Sequence, residues 1–130
     1  MPRVLVIDDQ PHVRATISIA LLANGFEVVA VDSARAGLRE QQRAHFDLAM
    51  VDIYMPDMDG VQLIKAFRTR APSLPVIAMS GVFLGASERT VLDILPITQN
   101  LSDIVCLQKP FRSKALLFAV QKALGVAVAV

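Results

Sequence analysis

Five short apolar runs constrain this chain more than any other feature: Val4 to Ile7, Glu27 to Val31, Asp47 to Val51, Pro75 to Met79 and Ile104 to Leu107. Each has the length of a strand and is too short for a buried helix. Continuous rather than alternating apolar character marks strands covered on both faces, the habit of parallel sheets. Helical segments lie between them. Val13, Ile17, Ala20 and Leu21 recur at helical spacing, and Asn24-Gly25 supplies a left-handed stop. A second helix is expected from an N-cap at Ser33 to Ala44, with Ala34, Leu38 and Gln41 on one side. A third starts at Asp59, where Gln62 is placed to close a capping box, and turns Val61, Ile64 and Phe67 inward until Pro72 ends it. The last covers residues 111 to 124. Strands and helices in this alternation specify a doubly wound α/β domain, because parallel neighbours need right-handed helical crossovers. Periodicity does not order the strands.

The 130 residues suit one domain, and 54% apolar against 19% charged residues is far from the composition of a disordered chain. A net charge of +1 gives no whole-chain field toward nucleic acid or anionic lipid. The single Cys106 excludes an internal disulfide framework and a zinc site built on paired cysteines. No apolar run reaches the length of a membrane span, and Met1-Pro2-Arg3 leads directly into the first strand. The expectation is a cytoplasmic protein with no direct nucleic-acid partner and no membrane insertion. The stretch from Ser80 to Lys109 is the irregular one. Pro96 interrupts any helix begun near Ser87, so a short helix to Leu95 and an irregular stretch to Ser102 are expected.

In open α/β sheets, ligands bind beyond the carboxyl ends of the strands. Asp8-Asp9 follows the first run, Asp52 the third, Ser80 the fourth, and Lys109 comes just after the fifth. Taken singly, Asp8-Asp9 could cap a helix, Ser80 could be a turn hydroxyl and Lys109 a solvated cation. Asp52 resists that treatment, since a carboxylate directly after Leu48-Ala49-Met50-Val51 sits where desolvation is costly. Three carboxylates on one rim repel each other unless a cation lies among them. Mg²⁺, which takes a few carboxylates and keeps waters and phosphoryl oxygens, suits the set, with Mn²⁺ as the alternative. There is no glycine-rich phosphate loop after the first strand. Aligning Gly60 with the glycine of a calcium loop puts Met55 and Ala66 at ligand positions, so that reading fails.

Val4-Leu5-Val6-Ile7-Asp8-Asp9, the segment Asp52-Ile53-Tyr54-Met55-Pro56-Asp57-Met58-Asp59-Gly60, Ala78-Met79-Ser80-Gly81 and Lys109-Pro110-Phe111 together resemble the receiver domain of two-component response regulators over nearly the whole chain. The resemblance implies a flavodoxin-like sheet of order 2-1-3-4-5 and a receiver domain over residues 1–125, with 126–130 as a short apolar tail. It implies that Asp52 accepts a phosphoryl group from a histidine kinase or a histidine phosphotransfer protein. Asp9 and Asp52 would ligate Mg²⁺, Asp8 would act mainly through its water, and the backbone carbonyl of Tyr54 would complete the protein ligands. Ser80 would hydrogen-bond one phosphoryl oxygen and Lys109 would pair with another. A cis Lys109-Pro110 bond is implied as well. The module is expected to stand alone and to signal by protein contact to a downstream target that the sequence does not name. It would be no enzyme beyond its own phosphorylation and dephosphorylation. The final helix is more apolar than one buried face requires, which suits a partner or homodimer contact.

Two departures from the receiver pattern stand out. Receivers carry an aromatic residue three positions before the lysine, and here that position is Cys106, expected as inert core packing. The fourth helical region is enlarged, so residues 82–101 are expected to form a partner-specific surface or a loop that orders on phosphorylation. These departures favour, as a rival, a pseudo-receiver that acts only as an interaction module. A Mg²⁺-dependent phosphohydrolase is a further rival, but it needs an acid/base carboxylate where Tyr54 stands.

Overall fold

The computed structural model describes residues 1–81 and 104–125. Its strands are β1 (Arg3–Ile7), β2 (Glu27–Val31), β3 (Leu48–Asp52), β4 (Val76–Gly81) and β5 (Ile104–Lys109). The helices between and after them are α1 (Pro11–Ala23), α2 (Ala34–Arg43), α3 (Gly60–Arg70) and α4 (Ser113–Leu124). All strands pair in parallel in the order β2-β1-β3-β4-β5. The expected region 82–101 and the tail 126–130 lie outside the described residues.

The pleat divides the core in two. Leu5, Ile7, Ala49, Val51, Val76 and Ala78 point to one face and meet Leu63, Ile64 and Phe67 of α3 and Ala34 of α2. Val4, Val6, Leu48, Met50, Ile77 and Met79 point to the other and meet Ile17 and Leu21 of α1 with Leu116, Ala119 and Val120 of α4. This alternation makes β1, β3 and β4 buried on both faces, as their continuous apolar runs predict. The edge strands differ: β2 and β5 are half-exposed along most of their length. Cys106 on β5 is accordingly only half-buried, not core packing, because an edge strand lacks a neighbour on one side.

Helix boundaries follow local chemistry. Ser33 caps α2 by accepting from the Ala36 amide at 3.1 Å, and Asp59 caps α3 by accepting from Val61 at 2.8 Å. The capping box does not close, since Gln62 is exposed and makes no return bond. Gly25, at φ 86°, ends α1 as the Asn24-Gly25 pair predicts. The last helix starts two residues later than expected, because Arg112 is extended and serves as its N-cap. Gln41 does face inward, where its amide donates to the Phe67 carbonyl at 2.8 Å and ties α2 to the end of α3.

Gly60 is required where the β3–α3 loop folds back on itself. A Cβ there would stand 2.6 Å from the Ile53 Cα, a backbone atom that cannot rotate away. Gly60→Ala is expected to cost about 1–3 kcal/mol of stability, read as a lowered thermal midpoint. An unchanged midpoint would show that the loop relaxes freely.

Candidate functional site

Sheet order decides what the strand ends bring together. With β1 and β3 central and adjacent, Asp8 just past β1 and Asp52 at the end of β3 lie side by side. Asp52 pairs in register with Met79, which places Ser80 one residue further along β4 on the same edge. The ladder between β4 and β5 continues to Gly81 and Lys109. Ser80 and Lys109 are therefore inside strands rather than after them, since backbone pairing persists beyond the apolar side chains.

One ligand atom from each of Asp8, Asp9 and Asp52 lies within 4.8 Å of the others. Asp8 is fully buried, Asp52 is 5% exposed and Ser80 is 4% exposed, while Asp9 faces solvent. Lys109 reaches across from β5 to donate to Asp8 Oδ2 at 2.5 Å and to Asp52 Oδ2 at 3.3 Å. The second oxygens are also occupied. Asp8 Oδ1 accepts from the Gln10 amide at 2.9 Å, and Asp52 Oδ1 accepts from the Tyr54 amide at 3.0 Å. Arg14 fixes the loop beneath by donating to the Asp8 carbonyl at 2.7 Å.

Burial pushes the Asp52 carboxyl above its ordinary range, and the neighbouring Asp8 charge adds to the rise. Lys109 and the Tyr54 amide oppose it without cancelling it. The result is a buried carboxylate held ready by one ammonium and one backbone N–H. The Lys109-Pro110 bond is cis, as the resemblance implies.

These groups open into a cleft of about 590 Å³ lined by Asp9, Gln10, His12, Tyr54, Lys109 and Phe111, among others. His12 shares this cleft with Asp9 but makes no ion pair with it. The structure brings Asp8, Asp9, Asp52 and Lys109 together and sets Ser80 and Tyr54 on the same rim. Sequence reasoning gave Arg14 and Asp57 no part in this site. Asp57 accepts from the first two amides of α2, a contact between segments 22 and 23 residues apart that no local pattern announces.

A parallel five-stranded α/β domain with an acidic triad and a lysine at the carboxyl edge defines a class of phosphoryl-handling signalling modules. The chain belongs to the response regulator receiver domain family, whose model matches residues 4–121. It is 43% identical over 124 residues to the response regulator protein FleR of Pseudomonas aeruginosa, covering 95% of this chain and 25% of that protein. It is 34% identical to the regulatory protein AtoC of Escherichia coli, over 94% of this chain and 25% of that one. The chain thus spans about a quarter of the length of these curated relatives. Among solved structures it resembles a CheY-like receiver domain protein of Methanospirillum hungatei, with a TM-score of 0.84, 25% identity, and coverage of 96% and 94% of the two chains. The chemotaxis protein CheY4 of Vibrio cholerae gives 0.80 at 26% identity, over 95% of this chain and 98% of that one. The family is one of phosphoacceptor domains in two-component signalling rather than of catalytic enzymes. No helix among the described residues is long and apolar enough to cross a membrane.

Proposed function

We propose that Asp52 accepts a phosphoryl group from a phosphohistidine of a kinase or phosphotransfer protein, and that the modified domain signals by protein–protein contact. The observation that carries this reading is the paired environment of Asp52: a buried carboxylate between two acidic neighbours, with Lys109 3.3 Å away. Transfer forms a bond from an Asp52 oxygen to phosphorus while the donor's bond to phosphorus breaks, and the donor leaves with that electron pair. Charge gathers on the phosphoryl oxygens during transfer, and the Lys109 ammonium is placed to neutralise part of it. Ser80, buried on the neighbouring strand, is assigned a hydrogen bond to another of those oxygens. The Tyr54 amide holds Asp52 Oδ1 and so fixes the orientation of the carboxylate.

The donor set fits a hard divalent cation, because three carboxylates whose ligand atoms lie within 4.8 Å of one another match Mg²⁺ or Mn²⁺. We assign Asp9, Asp52 and the Tyr54 carbonyl to it directly and Asp8 through a water. These residues would hold the cation, whose chemistry would be to offset phosphoryl charge that the Lys109 ammonium leaves uncompensated. We further assign the receiver to residues 1–125 and a cytoplasmic setting, where its histidine-bearing donors act.

The test is intact-mass measurement after incubation with a small acyl-phosphate donor. A single phosphoryl adduct is expected with Mg²⁺ and none after chelation. Absence of an adduct under both conditions, with no binding of a beryllofluoride mimic, would replace this reading by a pure interaction module. Multiple turnovers on a generic phosphate ester would instead indicate a hydrolase.

A further inference from the structure

The loop from Ile53 to Asp59 carries Tyr54 and is anchored at both ends. At its start the Ile53 amide donates to the Met79 carbonyl at 2.9 Å and the Tyr54 amide to Asp52 Oδ1 at 3.0 Å. At its end Asp59 caps α3, and the Gly60 amide returns to the Ile53 carbonyl at 3.1 Å. The middle is held from outside by Asp57. Its Oδ1 accepts from the Ala34 amide and its Oδ2 from the Arg35 amide, each at 3.3 Å.

Those two amides are the first two of α2, which no carbonyl inside the helix can satisfy. Ser33 takes the third, at Ala36, so the cap of α2 is shared between its own serine and a carboxylate from another loop. The first turn of α2 contains no acidic residue of its own. Asp57 therefore also supplies the negative charge that the positive end of the helix favours. Between Asp57 and Tyr54 stand Pro56, with its fixed φ, and Met55, which the proline restricts and the core buries. An antiparallel bridge between Tyr54 and Asp59 closes the loop on itself, so the segment that carries Tyr54 and the segment that carries Asp57 are held as one unit.

We propose that Asp57 is a positioning residue for the cation side of the site, tying the β3–α3 loop to α2 and so setting where the Tyr54 carbonyl lies. This rests on the assignment of that carbonyl to the metal. Mg²⁺ demands near-ideal octahedral geometry, so a small shift of one backbone oxygen weakens its binding. The tether acts on cation affinity and leaves the transfer step to Asp52 and Lys109.

Asp57→Ala and Asp57→Asn test it with two readouts. In metal-free protein, amide hydrogen exchange at Ala34 and Arg35 should accelerate in Asp57→Ala and less so in Asp57→Asn, which keeps one carbonyl acceptor. The Mg²⁺ concentration for half-maximal phosphorylation by acyl phosphate should rise on the order of two- to fivefold in Asp57→Ala, with a smaller rise in Asp57→Asn and little change in rate at saturating Mg²⁺. Tyr54, the single tyrosine in a chain without tryptophan, reports Mg²⁺ binding independently by its fluorescence. Unchanged exchange would refute the tether. Faster exchange with an unchanged Mg²⁺ requirement would reduce Asp57 to a helix cap. A parent chain that ignores Mg²⁺ in both assays would overturn the metal assignment itself, and the positioning role with it.

Discussion

An Asp52→Asn chain is expected to take up no phosphoryl group and yet to melt at a higher temperature than the parent at neutral pH. The first half follows from chemistry: a carboxamide offers no anionic oxygen to attack phosphorus, while its shape keeps the pocket intact. The second follows from burial. The folded-state pKa of Asp52 is raised above its ordinary 3.8, chiefly by desolvation, so ionisation is harder in the folded chain than in the unfolded one. A raised carboxylate contributes its full stability below the unfolded value and loses it as pH rises through the folded value. The charged residue is thus a net burden at pH 7, which its neutral isostere lifts. Melting curves in chelator should show parent and variant converging in acid and separating above the ordinary carboxylate range. A variant less stable than the parent at pH 7 would mean that the Lys109 attraction outweighs the cost of burial.

Lys109→Met should be damaged twice over. Phosphorylation by acyl phosphate should slow by about 10²–10³, the usual cost of removing one positioned group that stabilises transition-state charge. Stability should also fall by about 3 kcal/mol, because fully buried Asp8 loses its cation while Asp52 stays beside it. The two losses can be separated. Saturating Mg²⁺ should return part of the stability, since it supplies charge to the same carboxylates, while the rate stays low. Equal recovery of both would assign Lys109 a purely structural role.

The strands and most helices were legible because burial on both faces writes itself into short continuous apolar runs. The rim residues were legible because aspartates after Ile7 and Val51 have no apolar reason to be there. Strand order came only through the resemblance, since β1 and β3 read alike whatever their neighbours. Hydropathy ends β4 and β5 short, because ladder pairing continues through Ser80 and Lys109 where the apolar side chains stop. The apolar neighbours of Cys106 suggest a core position, but the edge position of β5 leaves it half-buried. Asp57 illustrates the deeper limit. Its carboxylate caps a helix that begins more than twenty residues earlier, and only the fold brings the two together.

The shared hold of Lys109 on Asp8 and Asp52 also bears on how such a site can change over generations. A lineage that drops the lysine first inherits a buried charge without a counterpart, whereas one that first neutralises an aspartate keeps a stable fold and forfeits its signal. Descendants that abandon phosphorylation should therefore lose an aspartate before the lysine, and an inactive relative retaining Lys109 with a neutral residue at position 52 should be commoner than the reverse.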